Sequence, residues 1–203
     1  MTVTNQIPFS KRNIWEPISA LEERMELGKK QRVTTPREAH AQSAPSKHRT
    51  DPIQLLIESE KGRMEKLIPI RYGRMLQSSF AFLRGSAAVM AEDLSNTPCS
   101  EIYVQCCGDC HLMNFGGYAT PERNQVFDIN DFDETLPAPF EWDVKRLAAS
   151  IIVAGRFKKI SDRDNKQAAL STVKIYSQKI REYAAMRQLE LWYKRLDLSL
   201  IHI

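Results

Sequence analysis

At 203 residues, with 42% hydrophobic and 27% charged side chains, the chain can bury one good-sized core, which excludes disorder throughout. The formal charge of +4 arises in the first fifty residues, where nine Lys or Arg face five Glu. Such a diluted basic stretch reads as a solvated face, so nucleic-acid binding is not expected, and without a signal-type h-region or a membrane-length apolar run a soluble cytoplasmic protein is expected.

Taken in chain order, residues 1–50 read as a basic, partly disordered arm with a helix near Ser19–Gln31, followed by a linker rich in Pro, Ser and Thr. The compact part is expected from Asp51 to Ile203. "DPIQLLIESEKGRMEKLIPI" predicts a helix with Asp51 as N-cap and Pro52 at its first position, and "FAFLRGSAAVMAEDL" a second. "EIYVQC" predicts a short strand ending before Gly108, and "NQVFDI" another. The two prolines of "NDFDETLPAPF" argue against regular structure there. "EWDVKRLAASIIVAGRFKK" returns to helix with Val144, Leu147, Ala148, Ile151 and Ile152 on one apolar face. Ser161 reads as the N-cap of a last helix running through "WYKRLD".

The chemistry-bearing residues gather around "CGDCHLMNFGG". Asp109 and Asn114 follow the first strand, and Asp128, Asp131 and Asp133 lie at and beyond the second. If the two strands pair as a hairpin, the two groups come out at one edge and offer hard oxygen ligands suited to magnesium shared with a phosphate-bearing ligand. Phosphoryl transfer needs such a set: an aspartate for the attacking hydroxyl, and an asparagine and a second aspartate for the metal. The five-residue step from Asp109 to Asn114 matches the catalytic loop of kinases, with Asp128 as metal ligand and Asp131 as runner-up. The competing reading is a loop-capping network of turn-forming Asp and Asn without ligand. Cys107-x-x-Cys110 has zinc or redox spacing, yet no second pair accompanies it, so free thiols are expected. "DINDFDETLPAP" is not a calcium loop, since Pro139 stands where the bidentate Glu belongs.

The loop resembles the H-G-D-x-H-x-x-N loop of aminoglycoside and choline phosphotransferases, with Cys107 in place of the first His and His111 matching the second. More closely, "RYGRMLQSSFAFLRGSAAVMAEDL", "CGDCHLMNFGG", "VFDINDFDE" and "PFEWDVKRLAAS" resemble the bacterial family known as domain of unknown function 2252, over about residues 30–200. The resemblance implies an α+β, partial protein-kinase-like (aminoglycoside-phosphotransferase-like) fold, mostly helical with a small β-hairpin carrying the catalytic-type loop. By position it implies Asp109 as catalytic base, Asn114 and Asp128 as metal ligands, with Asp131 kept as the runner-up metal-site residue, and Asp143 as structural support for the loop. Arg84 and His111 are the candidate cofactor-binding residues; Arg84, like Arg74, could instead pair with surface acids, and His111 could be held within the loop. The implied cofactors are Mg2+ and ATP, and the implied partners are a nucleotide, an unknown acceptor and a C-terminal portion of the same protein. That portion would bring the glycine-rich segment and lysine that kinase-like sites need, so residues 51–203 are expected to be a catalytic-loop half-domain, inactive alone. The alternative is a noncatalytic module of the same fold that binds a nucleotide or a partner.

Overall fold

The computed structural model describes residues 20–42 and 49–198. The first helix, α1 (Leu21–Thr34), buries none of its side chains, and Ser19, its expected start, lies outside the described residues. The residues after it are tied down by polar contacts. Thr35 Oγ1 donates to the Cys99 carbonyl at 3.0 Å, a 3-10 turn spans Arg37–Ala41, and Arg49 grips the Asp93 carboxylate at 2.5 and 2.8 Å.

Asp51 caps α2 (Pro52–Glu58) as its sequence predicts, accepting the Ile53 N–H at 2.9 Å. The helix does not continue to Ile70. Gly62 takes φ +84°, a 3-10 turn follows at Glu65–Leu67, and α3 (Ile68–Met75) restarts with Pro69 in its first turn. Proline is tolerated there because first-turn N–H groups lack intrahelical partners, so the residue that would break one long helix begins a new one. "FAFLRGSAAVMAEDL" likewise divides, into α4 (Ser79–Gly85) and α5 (Ala87–Ser95), at Ser86 with φ −121° and ψ 40°. Gly85 permits the close approach of α3: a Cβ there would lie 2.5 Å from Met75 Sδ. Leu56, Met75 and Val89, backed by Leu55 and Tyr72, form the buried apolar cluster that joins α2, α3 and α5.

Four short strands form two antiparallel pairs. β1 (Tyr103–Cys106) pairs with β4 (Leu136–Pro139), and β2 (Phe115–Ala119) with β3 (Gln125–Ile129). This corrects two expectations. The strands at 103–106 and 125–129 do not form one hairpin; the loop between Cys106 and Phe115 instead connects two separate sheets. The proline-rich stretch does form a strand, because Pro137 and Pro139 alternate with the residues that bond to β1, leaving their missing N–H groups on the open edge. The Phe140 N–H continues that alternation, donating to the Ile102 carbonyl at 3.1 Å.

α6 (Glu141–Phe157) follows directly and packs along α7 (Asp162–Ala184), whose N-cap is Ser161, accepting the Asp164 N–H at 3.1 Å. The buried Asn165 fixes the crossing: its Nδ2 donates to the Ile152 carbonyl at 2.8 Å, and its side chain fills the space a Cβ on Gly155 would need. The last predicted helix is interrupted after Ala184, and the short α8 (Gln188–Trp192) is separate. Beyond it the chain returns to the β3 edge, where Leu196 accepts the Phe127 N–H at 2.9 Å. The fold is thus α+β and mostly helical. Among the described residues no helix is long and apolar enough to cross a membrane.

Candidate active site

The loop from Cys107 to Asn114 is fixed by a polar stripe on α6. Asp143, Arg146 and Ser150 fall at i, i+3 and i+7, which places them on one face of the helix. Asp143 accepts the N–H of Cys107 at 2.7 Å and of Gly108 at 3.1 Å. Arg146 donates through Nε to Asp109 Oδ1 at 2.5 Å, and its Nη2 contacts the same oxygen. Ser150 Oγ accepts the Leu112 N–H at 2.9 Å and donates to the Leu147 carbonyl. Burial pushes the Asp143 carboxyl up, against the opposing pull of its two backbone N–H donors.

Gly108 makes the turn possible. Its φ is +83°, and a Cβ would collide with the Glu134 carbonyl, so both conformation and space demand glycine. From the other side, Asn114 Nδ2 donates to the carbonyls of Asp109 and Asp131, each at 3.1 Å. One amide thus joins the loop to the acidic stretch before β4.

Asp109 is buried, with its side chain only 12% exposed. Arg146 holds one carboxylate oxygen, and the other faces His111 Nε2 at 3.4 Å. His111 Nδ1 accepts the Met113 N–H at 3.1 Å, so in the neutral ring the proton sits on Nε2, toward Asp109. Burial lowers the His111 pKa from its usual 6.5 against the opposing influence of Asp109, with Arg146 and Arg84 lowering it further. The His111–Asp109 contact near neutral pH is therefore a polar one between a neutral imidazole and a carboxylate, and the ion pair is with Arg146. Arg146 also donates to the Leu83 carbonyl at 2.7 Å, tying the loop to α4.

Asp109 and His111 open on a cleft of about 980 Å³. One wall, from the Gly62 turn, α3 and α4, carries Arg63, Arg71, Arg74 and Arg84; the facing wall carries Asp131, Asp133 and Glu134. Partial burial and the nearby Asp109 and Asp131 push the Glu134 carboxyl up, partly offset by Arg63 at 3.7 Å. Of the expected site residues, Asp109, His111, Arg84 and Asp131 line this cleft, whereas Asn114, Asp128 and Asp143 do not. Asp128 is exposed on β3 opposite Gly116, and its Oδ1 accepts the Ile129 N–H at 2.8 Å. Asp131 Oδ1 accepts the Asp133 N–H at 3.2 Å. Among the described residues no three His, Cys, Asp or Glu side chains gather as a metal site.

The four cysteines are free. Burial pushes the Cys106 thiol up to about 12 and raises Cys107 and Cys110 as well, so these three are inert packing groups under neutral conditions. Sequence reasoning missed Arg146, Ser150 and Arg71 as site residues. For the first two a signal existed: a polar stripe in register with Asp143 on an otherwise apolar helix.

No curated protein and no solved structure matches the chain. A family model matches residues 63–203, more than half of the chain and every charged residue of the site just described. The chain therefore belongs to the family described as "Uncharacterized protein conserved in bacteria (DUF2252)".

Proposed function

We propose that this chain carries the catalytic-loop portion of a kinase-like phosphotransferase, with ATP as donor and a hydroxyl compound as acceptor. One observation carries the reading: a buried aspartate on a loop pinned by Asp143, Ser150 and Asn114 reaches a cleft large enough for a small-molecule ligand. Asp109 orients the acceptor hydroxyl and takes its proton as the oxygen attacks the terminal phosphorus of ATP. A new P–O bond forms, the bond from that phosphorus to the β,γ-bridging oxygen breaks, and ADP leaves with the electron pair. Arg146 pairs with one carboxylate oxygen and the neutral His111 lies against the other, an arrangement that suits orientation more than strong basicity.

The kinase-like fold, magnesium and the C-terminal completion of the site rest on the sequence resemblance. The oxygens expected to hold magnesium do not converge: Asn114 is committed through its amide nitrogen to loop carbonyls, and Asp128 stands off the cleft. A second reading, a noncatalytic nucleotide- or partner-binding module, is favoured by the arginine already paired with Asp109 and by a cleft lining without lysine.

ATP turnover by the full-length protein, compared with Asp109→Asn, tests both. The phosphotransferase reading expects a loss of about 10²–10⁴-fold in rate with nucleotide binding retained. Equal rates in the two proteins would overturn it, and binding without turnover in the wild type would favour the noncatalytic module.

A further inference from the structure

The two walls of the cleft are oppositely charged, yet among the described residues only Arg63 and Glu134 pair across it, at 3.7 Å. Arg63 is further committed through Nε to the Ser59 carbonyl at 3.0 Å. Three guanidiniums remain on the α3–α4 wall. Arg74 and Arg84 are exposed and make no ion pair or side-chain hydrogen bond among the described residues. Arg71 donates through Nη2 to the Gly85 carbonyl at 2.5 Å, while its Nη1 is buried without an acceptor. A buried guanidinium nitrogen lacking a partner, as in Arg71, is costly, and a wall that adds the two unpaired, exposed guanidiniums of Arg74 and Arg84 to it is matched by a compact, multiply charged anion. Arg71 and Arg74 are three residues apart on one helix, so their heads lie on the same face, and Gly85, which Arg71 contacts, directly follows Arg84.

We propose that Arg71, Arg74 and Arg84 form an anion subsite that holds the phosphate of the acceptor, a phosphomonoester bearing a free hydroxyl. The acceptor role rests on the phosphotransferase reading, and the phosphate site on the arginine wall alone. With its phosphate on α3 and α4, such a molecule extends across the cleft toward Asp109, which receives the hydroxyl. The acidic residues of the opposite wall repel a second anionic group and so set the polarity of binding. Guanidinium forks suit phosphate oxygens better than lysine point charges do, in keeping with a wall built from arginine.

Phosphorus NMR titration of the full-length protein with inorganic phosphate and with glycerol 3-phosphate, and a competition titration with Mg-ATP, test the proposal. Both probes are expected to bind saturably, with at least tenfold weakening in Arg74→Gln and in Arg84→Gln. Both side chains are exposed, so the variants are expected to fold; unchanged circular dichroism and melting confirm it. Asp109→Asn should retain binding. Mg-ATP should leave the glycerol 3-phosphate signal bound. Absence of saturable binding, indifference to both arginine substitutions, or displacement by Mg-ATP would overturn the acceptor subsite. Phosphomonoester binding with no phosphoryl transfer would leave the anion site standing and refute only the phosphotransferase reading.

Discussion

His111 shows how one residue can couple the site to stability. Its ring is buried between Asp109 and the Met113 backbone, and burial lowers its pKa below 6.5. On acidification the unfolded chain therefore takes up this proton before the folded protein does. Between 6.5 and the lowered folded value the unfolded state binds more protons, so stability falls as pH falls through that window and is insensitive to this group above it. His111→Asn keeps an acceptor near the Nδ1 position and cannot titrate. Denaturant melts from pH 7.5 to 5 should show a stability loss in the wild type that is smaller in His111→Asn; parallel curves would contradict the assignment.

At the scale of elements, α6 organises the site, because one helix face meets the loop at three successive positions. Removing the first contact, in Asp143→Ala, strands two N–H donors at Cys107 and Gly108. The expected loss is about 2–6 kcal/mol, from about 1–3 kcal/mol for each of the two groups left unpaired. Asp143→Asn, which keeps an acceptor and sheds a charge that burial disfavours, should lose less. Chemical denaturation measures both, and an Asp143→Ala protein within about 0.5 kcal/mol of wild type would contradict the role.

Much of this level was legible in the sequence. The Asp51 and Ser161 caps, the strands at 103–106 and 125–129 and the helix from Glu141 follow from local chemistry, and the supporting place of Asp143 from the resemblance of its motif. What escaped is non-local. No local pattern says that β1 chooses the proline-bearing β4 over β3, since the choice is made by pairing across the 29 residues between Cys106 and Leu136. The long helices predicted over 51–70 and 80–94 break at the Gly62 turn and at Ser86, and the segments beside these breaks supply the arginine wall. β2 was hidden by its two glycines, which weaken strand propensity but fit under Asn130 and Leu198.

For the molecule as a whole, the site is an assembly of distant segments: arginines from residues 63–84, the loop at 107–114, the acidic stretch at 131–134, and the α6 stripe behind them. The polar ties from Thr35 and Arg49 hold the N-terminal residues to Cys99 and Asp93, away from the cleft-lining side chains. Ligand binding is therefore localised to one cleft and to both of its walls. Amide hydrogen exchange of the full-length protein with and without Mg-ATP and glycerol 3-phosphate tests this most directly. The account predicts added protection in residues 63–88 and 107–134 together, with α7 unchanged. Protection confined to other segments, or none in either wall at saturating ligand, would contradict it.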